Sequence, residues 1–99
     1  MSTKKFRVAH LRQQGQDMVI VPLDGGTFHS KTDAEKRQAK TALQTCSRSA
    51  GLAGEVCLVW TYGRRFHFIA PKLWHPFFRG LSMAAVQRNI NKELSCEGF

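Results

Sequence analysis

The chain has 99 residues, of which 42% are apolar and 22% charged. These are globular values that exclude the disordered class, and one domain is expected over residues 1–99. Fifteen Lys and Arg against seven Asp and Glu give a net charge of +8, which points to an anionic partner, nucleic acid first. No apolar run approaches the ~20 residues of a membrane span, and no apolar stretch follows Lys4 and Lys5 as a secretory leader would require, so no membrane association is expected.

Residues 5–11 read as a first strand, with Phe6, Val8 and His10 alternating against Arg7, Ala9 and Leu11. Residues 18–23 form a nearly continuous apolar run of the buried-strand kind. Gly15 lies in the turn between them, so the two runs are expected to pair as a hairpin. Pro22 has no N–H and places the end of the second strand at an edge or a bulge.

Thr32 followed by Glu35 is a capping box, in which each side chain satisfies an exposed N–H at a helix start. The helix continues through Ala39, Ala42, Leu43, Cys46 and Ala50 at helical spacing and stops at Gly51. Its outer face carries Lys36, Arg37, Lys40 and Arg48, cations that can meet phosphates or simply be solvated.

Residues 55–61 and 65–70 read as a second hairpin around Tyr62, Gly63 and Arg64. The segment from Lys72 to Gly80 is an aromatic loop or a single helical turn starting near Pro76. Ser82 caps a last helix expected to run to about Leu94, with Met83, Val86, Ile90 and Leu94 as its apolar stripe. Residues 1–4 and 95–99 are expected to fray. The order ββαββα predicts an α+β fold of two layers: a four-stranded, mostly antiparallel sheet with both helices on one face.

The cysteines are Cys46, Cys57 and Cys96. An odd number without framework spacing favours free thiols in a reducing cytoplasm. No close Cys or His pair has zinc spacing, so neither a metal nor another cofactor is expected. No G-x-S-x-G, P-loop or dinucleotide motif occurs, and the carboxylates fall mostly in turns and a cap, so a non-catalytic protein is expected.

Nucleic-acid binding needs cations for phosphates and, for single strands, aromatic faces on which bases stack. No acid occurs between Glu55 and Glu93. The candidate set is Lys4, Lys5, Arg7, Trp60, Tyr62, Arg64, Arg65, His67, Lys72 and Arg79, its second-hairpin members offered on the sheet face away from the helices. RNA or single-stranded DNA is favoured over duplex DNA. The alternative is a protein partner, or a second copy in a homodimer, docking on Trp74, His75, Phe77 and Phe78.

Overall fold

Two hairpins and one late strand build the sheet. The computed structural model describes residues 3–97. β1 (Thr3–Gln13) and β2 (Gln16–Pro22) form the first hairpin, and β3 (Glu55–Tyr62) and β4 (Arg65–Ile69) the second. A short α1 (Gly25–Phe28) and the long α2 (Asp33–Ser49) connect β2 to β3. A 3-10 turn (Lys72–Trp74), α3 (His75–Arg79) and α4 (Met83–Arg88) connect β4 to β5 (Lys92–Glu97).

The strand order is β4-β3-β2-β1-β5. β2 and β3 run parallel, in the register Val19 to Val56 and Val21 to Leu58. The other three pairs are antiparallel. A parallel pair needs a crossover of a dozen or more residues, and α1 with α2 supplies it over one face. The connection from β4 to β5 carries α3 and α4 over the other face, from one edge of the sheet to the opposite edge.

Each face has its own core. On the first, Phe6, Val8, Val19, Val21, Val56, Leu58, Trp60 and Leu94 pack with Phe28 of α1 and Leu43 of α2. On the second, Ala9, Met18, Ile20, Cys57 and Val59 pack with Phe78 of α3 and Val86 of α4. Met18 to Val21 are all fully buried, which explains why β2 reads as an unbroken apolar run.

Local chemistry sets the helices. Thr32 Oγ1 accepts from the Glu35 N–H at 3.1 Å, and the Thr32 N–H donates to Glu35 Oε1 at 2.9 Å. The side chain of Gln44 then clamps α2 to the sheet. Its Oε1 accepts from the Val56 N–H at 2.7 Å, and its Nε2 donates to the Gly54 carbonyl at 3.0 Å.

The α+β class, both hairpins and the capped helix agree with the sequence. Four expectations are corrected. The described residues hold five strands, not four, because the last helix ends at Arg88 and residues 92–97 join β1. The helices lie on both faces rather than one, and the second face stays open only beside β1 and β5, where Lys5, Arg7, Glu93 and Ser95 are exposed. Residues 3–4 and 95–97 do not fray, being paired between β1 and β5; residues 1–2 and 98–99 lie outside the described residues. Cys46 and Cys96, read as free thiols, form a disulfide that ties α2 to β5. Cys57 alone stays free and buried, and its burial pushes the thiol up to about 12, which keeps it protonated and unreactive.

Candidate nucleic-acid interface

At one end of the sheet β2 and β3 finish while β1 and β4 begin, as their directions require. That end collects the first residues of β1, the β3–β4 turn and the junction of α1 with α2. Gly63 and Arg64 form the turn with φ of 60° and 65°. Left-handed values at both central residues match the twist of a two-residue hairpin. Arg64 is exposed at its tip.

On the first face, Trp60, Tyr62, His67 and His29 make a ring cluster. His29 stacks on Tyr62 with centroids 3.9 Å apart and planes 7° apart. His67 stacks on Trp60 at 5.5 Å and lies 5.0 Å from His29. Trp60 Nε1 donates to His29 Nδ1 at 3.2 Å, which places the neutral ring's proton on Nε2. Desolvation holds the His29 pKa below its usual range, and the charges of His67 and Lys36 push the same way. Lys36 Nζ sits 5.5 Å above the Trp60 ring.

Exposure separates the two candidate stacking residues. Trp60 is 4% exposed and packs edge-on against Phe28 at 4.8 Å, so it has no face open to a base. Tyr62 is 50% exposed, with one face covered by His29. Tyr62 is therefore the stacking platform this end can offer.

The cations here are largely unspent. Among the described residues the ion pairs are Lys5 with Glu93, Arg12 with Asp17 and Lys40 with Glu55. None of them takes up Lys4, Arg7, Lys31, Lys36, Arg64 or Arg65. Lys4 lies on the first face, its Nζ 5.4 Å from the Phe6 ring centre. Alternation puts Lys5 and Arg7 on the second face, beside a cleft of about 530 Å³ that Met83, Gln87 and Ile90 also line. The acid nearest the middle of this end is Asp24. A hydrogen bond from the Thr27 hydroxyl, at 2.7 Å, holds its carboxyl below the usual carboxylate range.

The predicted set thus divides. Tyr62, Arg64, Arg65, His67, Lys4, Lys5 and Arg7 gather at one end, on two sides of it. Lys72 follows the far end of β4 and so lies at the opposite end of the sheet, and Arg79 closes α3 on the second face. No whole sheet face is open, because helices pack on both; the exposed part is the strip of the second face along β1 and β5 that carries Lys5 and Arg7. Two contributors went unread in the sequence: His29 in a loop, and Lys31 beside it. Their only signal was position, next to a helix start that must return to the end where β2 stops.

The aromatic loop is mostly core. Phe78 is fully buried and stacks on Phe68 at 5.3 Å. Phe77 and Trp74 are half-buried, and His75 Nε2 hydrogen-bonds the Ala70 carbonyl at 3.0 Å. Leu73, 77% exposed, is the large apolar side chain that this segment leaves in solvent.

No helix among the described residues is long and apolar enough to cross a membrane, and no group of three or more His, Cys, Asp and Glu among them could hold a metal ion. Comparison with protein-family models, curated proteins and solved structures finds no match to this chain.

Proposed function

We propose that this chain is a non-catalytic module that binds single-stranded nucleic acid, RNA or DNA, across the basic end of its sheet. One observation carries the reading: a half-exposed tyrosine, backed by a stacked histidine, stands among cations that form no ion pair among the described residues. Lys4, Lys31, Lys36, Arg64 and Arg65 attract the phosphates, and Tyr62 offers its outer face to one base. Duplex DNA is the weaker ligand, because paired bases present no free face to Tyr62.

The test is a titration of the protein into fluorescent single-stranded RNA, single-stranded DNA and duplex DNA at several salt concentrations. Arg64→Ala with Arg65→Ala removes two phosphate contacts and lowers the slope of log affinity against log salt by about 1.4. Arg64→Ala keeps a Cβ in the left-handed turn, so it tests charge rather than backbone. Tyr62→Ala weakens single-strand binding by about 1–3 kcal/mol while leaving the salt slope in place. Unchanged affinity and slope in the double arginine variant would remove this end as the interface.

A further inference from the structure

Both outer strands of the sheet present a free backbone edge, and the two are built differently. β5 exposes Lys92, Glu93, Ser95 and Glu97 along its length. Charges of that kind discourage pairing with another strand. On β4 only Arg65 is exposed; Phe66, His67, Phe68 and Ile69 are half-buried. An edge with a single exposed charge, at its first residue, is a template for another strand.

The hydrogen-bond phase of that edge follows from the turn. Only Gly63 and Arg64 separate the paired residues Tyr62 and Arg65, and the innermost pair of a two-residue hairpin exchanges both its backbone bonds. Alternation then assigns the next bonded pairs to Trp60 with His67 and Leu58 with Ile69. Phe66 and Phe68 consequently direct their N–H and C=O groups away from β3, toward the open edge.

The strand reads Phe66-His67-Phe68 in either direction. We propose that β4 pairs with β4 of a second copy, antiparallel about a two-fold axis at His67, joining two five-stranded sheets into one. Phe66 and Phe68 then exchange backbone bonds with their counterparts across the axis. These are the residues whose bonding groups are free, so register and hydrogen-bond phase agree. On the second face each Phe66 ring lies beside the other copy's Phe68, a favourable cross-strand aromatic pair. On the first face His67 meets His67, and Arg65 meets Ile69 rather than another arginine.

Five residues a side bury less than the ~1,200 Å² of a standard interface, so the dimer belongs to the weak, concentration-dependent class. Each copy carries +8, and salt screens the repulsion between copies. Dimerisation therefore strengthens with salt, the opposite of binding to phosphates, and does not depend on the nucleic-acid reading.

The full chain is examined by sedimentation from micromolar to millimolar concentration, at low and high salt, with amide exchange recorded in parallel. The expected result is a mass that doubles with concentration, more readily at high salt, while the Phe66 and Phe68 amides become protected. A non-bonded antiparallel pair has Cα atoms about 4.5 Å apart, inside disulfide reach, so oxidised His67→Cys crosslinks at least ~10-fold faster than Arg65→Cys. A monomeric mass throughout, or a dimer that leaves those two amides unprotected, overturns the proposal. Equal crosslinking by the two cysteine variants overturns the register. Should His67→Cys lose its fold by circular dichroism, the amide data on the wild-type chain decide the matter.

Discussion

His29 concentrates several effects in one ring. Partial burial and the facing charges of His67 on β4 and Lys36 on α2 all disfavour its protonated form, and Tyr62 and Trp60 of β3 offer it no negative charge. The folded state therefore resists a proton that the unfolded state accepts below its ordinary pKa of 6.5. Its contribution to stability is complete above that value and declines as pH falls below it. Lys36→Ala removes one opposing charge, and the His29 midpoint is expected to move upward in an NMR titration. A bound phosphate acts in the same direction, so single-strand affinity is expected to rise between about pH 7.5 and 5.5, less so in His29→Ala. Gly25 is the residue that lets this arrangement close. A Cβ there would run into the Thr61 carbonyl, so α1 can rest on β3 only without one. Gly25→Ala is expected to cost about 1–3 kcal/mol in urea unfolding and to loosen the His29 stack on Tyr62.

At the scale of elements, the sequence is informative where a local rule acts alone. The Thr32 to Glu35 box and the Gly63 turn each announced an element that the structure contains. β5 was hidden by a coincidence of period. Met83, Val86, Ile90 and Leu94 continue a helical stripe, although the helix stops after Arg88. The competing signal was the alternation of Leu94 and Cys96 with exposed neighbours, a two-residue period. The parallel pairing of β2 with β3 was equally available in principle. A 17-residue helix between two apolar runs is a crossover, and strands apolar on both sides need cover on both faces. The repeated hairpin pattern suggested an open face instead, and the candidate site was drawn on that face. The arginines, Tyr62 and the β1 lysines still share one end of the sheet, because their place along the strands does not depend on which face is covered. The disulfide could not be read at all, since Cys46 and Cys96 are 50 residues apart and meet only once β5 exists. Crosslinking at that separation limits the unfolded chain, and Cys46→Ser with Cys96→Ser is expected to lower stability by about 2–4 kcal/mol. Urea unfolding of the wild type with reductant should match that of the double variant without it. A reduced wild type as stable as the oxidised one would show that the bond restrains little.

For the whole molecule, the excess charge is organised rather than spread. Ion pairs hold Arg12 and Lys40 toward the end where the β1–β2 turn and the start of β3 lie. At the opposite end Lys4, Lys31, Lys36, Arg64 and Arg65 form no ion pair among the described residues, and β5 carries the acids Glu93 and Glu97 along one edge, Glu93 paired with Lys5. An anion approaching this surface meets an oriented field, with attraction at one end and repulsion along one side. The pairing of Thr3 with Glu97 has a different consequence. The backbone enters and leaves the domain at neighbouring points, on adjacent strands of one sheet. A fold with that property can be spliced into a surface loop of a host protein without prising the loop open. It can also be closed into a ring by a few residues and reopened at the β1–β2 turn, where Gln14 and Gly15 are exposed.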